Sequence, residues 1–429
     1  METTSKYCII GAGPAGLCAA VALKACGLGF DIIDKGKLVG GIWDIERKDS
    51  AMYESAHFIS SRTLSGFRDF PMPEDYPDYP RHDKILSYIQ AYASKHELEK
   101  HIQFELEVEE INPLEAGELW QVKLSNGESR EYAGVICATG LTWYPNFPQI
   151  PGQFIGEMYH SQEYLSMAQF RGKKVLIIGA GNSGCDIACD AAKVAKEAYI
   201  SMRRGYYFLP KYVFGKPCDV FAHESPSLPL WLDRRINEFL INKVLVGDLE
   251  KYGLQKPDHP ILSSHPIMNT RILYHLGHGD IAAKRNVSKF KGKEVEFEDG
   301  TSVEVDVVVL ATGYKRAYPF IDKKYQHQKE GVLDLYMEIF DRKYNNLFFL
   351  GGIETDGAAY EMFGKQADLI AQYLDCKEKD PQRYARFTQK KNTEYPNLRG
   401  KMQYVKSQRH THYVKRDVYH KLLDKMLAQ

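Results

Sequence analysis

The chain has 429 residues, and its 56 lysines and arginines are matched by 56 aspartates and glutamates. A net charge of zero gives no field for a nucleic-acid partner, and no apolar run is long enough for a membrane anchor. The length suits two to three domains. The eight cysteines contain no C-x-x-C, which excludes a redox dithiol and a zinc knuckle, so no metal site is expected and a reducing, cytoplasmic compartment is.

Taken in chain order, the first feature is an apolar run, Tyr7 to Ile10, followed by Gly11-Ala12-Gly13-Pro14-Ala15-Gly16 and an Ala-rich helical stretch. Strand, tight turn and helix are the context in which G-x-G-x-x-G marks a dinucleotide site. The glycines let backbone approach a pyrophosphate, and the helix N-terminus offers free N–H groups to it. Asp34 closes the next predicted strand, where an acid accepts hydrogen bonds from ribose hydroxyls. Gly11, Gly13, Ala15, Gly16, Asp34 and Lys35 are therefore expected to bind the ADP part of FAD. Gly40-Gly41-Ile42-Trp43 follows, and Gly41 and Trp43 are expected beside the flavin.

Residues 50–80 read as an irregular, proline-rich path. Asp83 to His96 has helical periodicity. Asn126-Gly127 marks a hairpin, and Ala138-Thr139-Gly140 follows it. A Pro-rich linker spans Pro145 to Pro151.

The pattern then repeats. Val175 to Ile178 leads into Gly179-Ala180-Gly181-Asn182-Ser183-Gly184 and a helix. Asp299-Gly300 marks a second hairpin, and Ala311-Thr312-Gly313 follows at the same offset as in the first half. The equivalent of Asp34 falls within Ser201-Met202-Arg203-Arg204, which holds no acid and two guanidiniums. Arginine binds a ribose 2′-phosphate through a planar fork of donors, where a carboxylate would repel it. Gly179, Gly181, Asn182, Ser183, Gly184, Ser201, Arg203 and Arg204 are thus expected to bind NADPH, with NADH use open. Tyr206 and Tyr207 either stack on adenine or pack in the core.

The predicted architecture is α/β, with two Rossmann-like dinucleotide-binding domains that each carry an inserted β-hairpin layer. A discontinuous FAD domain takes residues 1–168 and 312–429. The NADPH domain takes 169–311, with a helical and irregular insertion at 205–279 and one helix at about 229–246. Gly351 to Leu374 reads as strand end, loop and helix, bringing Gln366 towards the flavin. A basic stretch, Lys390 to Lys425, reads as a packed-down tail ending in a short helix, Val418 to Leu427.

One further motif lies between the fingerprints. Phe154-Ile155-Gly156-Glu157-Met158-Tyr159-His160-Ser161-Gln162-Glu163-Tyr164 fits F-x-G-x-x-x-H-x-x-x-Y/F without a gap. With both glycine fingerprints and Ala311-Thr312-Gly313-Tyr314, the chain resembles the class B flavin-containing monooxygenases over nearly its whole length. Tyr164 and Asp69-Phe70-Pro71-x-Pro73 resemble the N- and S-oxygenating branch. The resemblance implies an FAD enzyme that uses NADPH and O2. It forms a C4a-(hydro)peroxyflavin and oxygenates an amine nitrogen or a sulfide sulfur of a small molecule. The alternative is Baeyer–Villiger oxygenation of a ketone. A homodimer is a common default.

The branch usually places an Asn about ten residues before Asp-Phe-Pro, near the reacting flavin. No Asn occurs between Ser50 and Pro80 here. His57, or the Ser60-Ser61 pair, is expected to take that role, with a loop or core His as the other reading of His57. His160 either supports the nicotinamide side, shapes the linker, or is a satisfied structural histidine.

Overall fold

The computed structural model describes residues 5–226, 228–405 and 409–429; Lys406, Ser407 and Gln408 of the basic stretch lie outside the described residues. Two large sheets, one mostly parallel and one wholly parallel, organise the described residues, as the two apolar-run and glycine patterns predict.

The first sheet has seven strands. Tyr7–Ile10 lies inside it between Gly134–Cys137, the central strand, and Phe30–Ile33, both parallel to it. Leu347–Phe349 continues it in parallel, and the antiparallel pair Phe340–Asp341 and Leu335–Tyr336 forms the edge. The late strand Leu347–Phe349 makes this unit discontinuous in sequence. The Ala-rich helix Pro14–Ala25 packs against Tyr360–Lys379 over one face. Small side chains permit that close approach. On the other face lies the three-stranded hairpin layer Val108–Leu114, Leu119–Leu124 and Ser129–Tyr132. Trp120 seals it by donating its indole N–H to Asn346 Oδ1 at 3.0 Å.

The second sheet has five parallel strands. Their order is Glu157–His160, Val307–Leu310, Lys174–Ile178, Glu197–Ser201 and Ala282–Lys284. Its hairpin layer is Val287–Gly292, Glu294–Phe297 and Ser302–Glu304, with Gly152–Phe154 added in parallel. Strands from 152–160 therefore belong to the second sheet and its layer, ahead of the expected boundary at residue 169. Period-2 strand patterns do not reveal which distant sheet an edge strand joins.

The two linkers meet. Tyr144–Pro145 pairs antiparallel with Tyr314–Lys315, and the Asn146 amide donates to the Gly313 carbonyl at 2.9 Å. Both crossings between the units thus form one short ribbon.

Among the described residues the insertion holds three α-helices: Cys218–Glu224, Leu230–Phe239 and Arg271–His278. Leu230–Phe239 runs on into a wider turn, Leu240–Leu245, where Val246 N–H donates to Ile241 O. The sequence reading foresaw only this last stretch as helix. Near the end, Pro381–Thr393 is an additional helix, and Arg416–Leu427 is the expected closing one.

Candidate cofactor cradles and the loop between them

The two fingerprint turns are built alike. Gly11 has φ +112°, and a Cβ there would stand 2.7 Å from the Ala138 carbonyl oxygen. Gly179 has φ +108°, and a Cβ there would stand 2.3 Å from the Ala311 carbonyl oxygen. Gly16 and Gly184 lie against the first glycine of their own turns, where a Cβ would come within 1.8 Å and 2.1 Å of its carbonyl oxygen. The Ala-Thr-Gly segments are thus the walls against which each glycine turn closes.

No side chain caps either fingerprint helix. The first-turn N–H groups of a helix need outside partners. An anionic pyrophosphate meets that need at both turns, and the cradles fit the two nucleotides expected from the sequence. In the first cradle Gly41 (φ +61°) faces Gly13 so closely that a Cβ on Gly41 would lie 3.2 Å from Gly13 Cα. Around Gly181 a Cβ would meet nothing within 4 Å, which leaves open space beside the second turn.

Asp34 is buried at the first site. Its Oδ2 accepts from Ala12 N–H at 2.6 Å, and its Oδ1 accepts from Gly36 N–H at 2.6 Å and from Arg47 at 3.1 Å. Oδ2 retains a lone pair for a ribose hydroxyl. The sequence reading missed Arg47, Asp49 and Trp143. Arg47 also donates to Asp49 at 2.7 Å, and its guanidinium lies 4.4 Å from the centre of the Trp143 ring. Lys35 pairs with Asp49 and stands 5.3 Å from the same ring centre. Burial pushes the Asp49 carboxyl up, yet the two cations outweigh it and hold it below its usual range. Nothing local in the sequence links Arg47 to Asp34.

At the second site the register places Ser201 opposite Ile178, as Ile33 stands opposite Ile10. Met202 is therefore the residue at the position of Asp34. Met202 N–H donates to Lys284 O at 3.1 Å, and Asp34 N–H donates to Gln103 O at 3.0 Å. Arg203 is exposed and pairs with no acid among the described residues. Arg204 is half-buried, 3.7 Å from Asp258. Ser183 is exposed beside the turn. Asn182 turns its amide away, accepting from Met268 N–H at 2.7 Å and donating to Pro266 O at 3.3 Å. Tyr206 and Tyr207 lie half-buried against apolar clusters.

Four expected site residues are buried within the protein. Ser201 is buried, and its hydroxyl donates to Arg285 O at 2.7 Å. Gln366 is fully buried; it accepts from Gly351 N–H at 3.1 Å and donates to Tyr419 Oη at 2.8 Å. Ser61 is fully buried, with its hydroxyl sealed from solvent and its N–H donating to Asp219 Oδ2 at 2.7 Å. His160 is fully buried as well. Its Nδ1 accepts from Gln162 N–H at 3.2 Å, so Nε2 carries the proton and donates to Gly313 O at 3.0 Å. It ties the edge strand to the second Ala-Thr-Gly turn. None of these four offers surface to a ligand.

His57 is exposed, and its Nδ1 donates to Ser55 O at 2.8 Å. Ser60 Oγ accepts from the Ser65 hydroxyl at 2.8 Å. Trp43 is half-buried on the Gly41 turn, 5.2 Å from the Phe58 ring, which lies 5.8 Å from Tyr360. Phe58 and Tyr360 were not foreseen.

The 50–80 loop clamps the second unit. Tyr53 donates to Asp186 at 3.0 Å, Ser55 to Asp190, Ser61 N–H to Asp219, and Tyr212 to Asp78 at 3.1 Å. Asp186 and Asp190 sit on the helix Asn182–Val194 that opens at the second fingerprint. Lys211 donates to Phe58 O at 3.5 Å, and burial lowers its ammonium below the usual lysine range. One loop thus touches Trp43 and Tyr360 with Phe58 and the second fingerprint helix with Tyr53 and Ser55.

Comparison with known proteins fits this geometry. The profile of the family described as "Flavin-binding monooxygenase-like" matches residues 4–427. The rabbit (Oryctolagus cuniculus) protein "Dimethylaniline monooxygenase [N-oxide-forming] 2" is 32% identical over 387 residues, covering 84% of this chain and 72% of the relative. Human "Flavin-containing monooxygenase 3" is 31% identical over 392 residues, covering 86% of this chain and 73% of the relative. Among solved structures, S-allyl-L-cysteine S-oxygenase from Allium sativum superposes with TM-score 0.67 at 22% identity, covering 99% of this chain and 89% of that one. An ε-caprolactone-bound cyclohexanone monooxygenase superposes with TM-score 0.70 at 19% identity, covering 99% and 98%.

Proposed function

Because the chain belongs to the flavin-binding monooxygenase-like family, we propose that it oxygenates an amine nitrogen or a sulfide sulfur of a small molecule, with NADPH and O2 as co-substrates. The observation that carries this reading is the pair of matched cradles with unlike ribose ends: Asp34 at the first, Met202 and Arg203 at the second. FAD belongs to the first and NADPH to the second. FAD, reduced by NADPH, supplies the activation of O2.

The chain's own residues bind, orient and shield. Gly11, Gly13, Ala15 and Gly16 present backbone N–H groups to the FAD pyrophosphate, and Asp34 takes the ribose. Gly41 and Trp43 border the ring. Gly179, Gly181 and Gly184 cradle the NADPH pyrophosphate, and Arg203 takes the 2′-phosphate. Arg204, shared with Asp258, contributes less, and NADH is used weakly. Lys35 supports the adenine end through Asp49 and Trp143. Exposed His57 and half-buried Ser60 are the two sequence-expected catalytic residues that still offer surface.

The NADPH unit runs from about 152 to 311 in this reading, with the FAD unit on either side. All eight cysteines are free, which suits a reducing compartment, and we place the protein in the cytoplasm. No described helix is long and apolar enough to cross a membrane. A homodimer is part of the same proposal.

Baeyer–Villiger oxygenation is the second reading. It is favoured by His57 standing where the branch usually has an Asn, in a loop without Asn from 50 to 80. Product analysis with a tertiary amine, a thioether and a cyclic ketone decides. N-oxide or sulfoxide formation supports the first reading, and lactone as the sole product supports the second.

A further inference from the structure

The insertion brings a second wall to the ribose end of the second cradle. Leu249–Tyr252 is one short helical turn, and Gly253 ends it with φ +74°. The segment that follows, 254–259, lies pinned along the 202–205 loop. Leu254 is buried in the same apolar cluster as Val175 and Ile177. Gln255 donates its side-chain amide to Met202 O at 3.1 Å. Gly205 pairs with Pro257 in a single parallel bridge, and a Cβ on Gly205 would stand 2.1 Å from the Lys256 carbonyl oxygen. The strap so fixed sets Asp258 3.7 Å from Arg204.

Asp258 is hydrogen-bonded on one side only. Its Oδ1 accepts from His259 Nδ1 at 2.8 Å, and His259 is packed in, with its ring 5.8 Å from that of Tyr207. The His259 N–H and the Arg204 cation hold the Asp258 carboxyl below its usual range, so it is ionised at neutral pH. Its Oδ2 faces Arg204 Nε at 3.7 Å, too far for a hydrogen bond. Arg204 Nε is buried and has no hydrogen-bond partner. Arg204 thus keeps an unspent donor beneath a carboxylate whose side chain is 54% exposed.

Met202 stands where Asp34 stands in the first unit, so the second strand end carries no acid of its own. Asp258 supplies one from more than fifty residues further along the chain. A carboxylate at a ribose end accepts from a 2′-hydroxyl and repels a 2′-phosphate. Specificity is a difference of two affinities, and a repulsive group sets it as much as an attractive one does.

We propose that Asp258 is a specificity-determining residue of the second cradle. It keeps Arg204 from a 2′-phosphate, offers an acceptor to a 2′-hydroxyl, and so narrows the preference for NADPH over NADH that Arg203 sets. This rests on the reading of the second cradle as the NADPH site.

The test is calorimetric titration of the full-length, FAD-loaded protein at low salt with 2′,5′-ADP and with 5′-AMP, which differ only in the 2′-phosphate. Asp258→Asn keeps the side-chain shape and removes the charge. It should tighten 2′,5′-ADP about tenfold and weaken 5′-AMP. Adding Arg204→Ala should abolish that gain, whereas Arg204→Ala alone should change little; such coupling is not produced by a merely structural role. A gain that survives Arg204→Ala overturns the proposal. So does an unchanged ratio of the two affinities in Asp258→Asn; if Arg203→Ala still weakens 2′,5′-ADP, the NADPH reading stands without it. Equal wild-type affinity for the two nucleotides, indifferent to Arg203→Ala, removes the NADPH reading and the proposal together.

Discussion

Gly179 and Ala311 touch backbone to backbone: a Cβ on Gly179 would stand 2.3 Å from the Ala311 carbonyl oxygen. Gly11 and Ala138 repeat the relation at 2.7 Å in the first unit. The repeated Ala-Thr-Gly segments are in this way part of the nucleotide sites, because they set how tightly each turn closes. Gly179→Ala is expected to cost about 3 kcal/mol of stability, since φ +108° and the carbonyl both oppose a side chain. Gly181→Ala has a free position, and its stability should change by less than about 0.5 kcal/mol. Its NADPH affinity should still fall by roughly an order of magnitude, because the methyl fills the space a pyrophosphate approaches. Thermal melts and NADPH titrations separate the two; a stable Gly179→Ala protein with full affinity would contradict the geometry.

Arg203 and Arg204 are predicted to differ. Arg203→Ala should raise the KM for NADPH by the loss of a charge-assisted contact, about 1.5–3 kcal/mol, and leave NADH use nearly unchanged. Arg204→Ala should do less, since Asp258 already holds Arg204 at 3.7 Å. Steady-state kinetics with both nucleotides checks this, and equal losses for NADPH and NADH would remove the phosphate assignment.

Asp34→Ala strands the Ala12 and Gly36 amides and leaves Arg47 without its buried partner. Each unsatisfied group costs about 1–3 kcal/mol. The variant is expected to melt lower and to purify depleted of FAD, with Asp34→Asn intermediate. The ratio of flavin to protein absorbance reports it.

Much of this was legible in the sequence because it is encoded locally. The fingerprints and the turns Asn126-Gly127 and Asp299-Gly300 are short motifs, and Gly127 and Gly300 take the positive φ such turns require. Distant partners were not legible. Ser201 is spent on Arg285, Gln366 on Tyr419, and Asp34 shares its carboxylate with Arg47. Glu157–His160 joins the second sheet through Val307–Leu310, a pairing no periodicity signals. The helix Leu230–Phe239 was foreseen, but its seating on Ser263 and Ile261 was not.

His160 makes a pH prediction. Burial holds its imidazole neutral and lowers its pKa from the ordinary value of 6.5. The unfolded chain therefore binds a proton near pH 6.5 that the folded chain refuses until lower pH. The contribution to stability is full above that pH and is lost as pH falls through the interval below it. His160→Phe should lose two hydrogen bonds, about 1–2 kcal/mol at pH 7.5, and show a shallower decline between pH 6.5 and acid than wild type. Denaturant unfolding across pH measures both; parallel curves would remove His160 from the titration.

The most direct test of the central claim is a single turnover of the holoenzyme. The protein is reduced with NADPH under anaerobic conditions, then mixed with 18O2 and a thioether. Labelled sulfoxide in proportion to bound FAD, with little peroxide, is the predicted result. Full reoxidation with all of the oxygen recovered as peroxide and no labelled product would contradict a monooxygenase built on these two cradles.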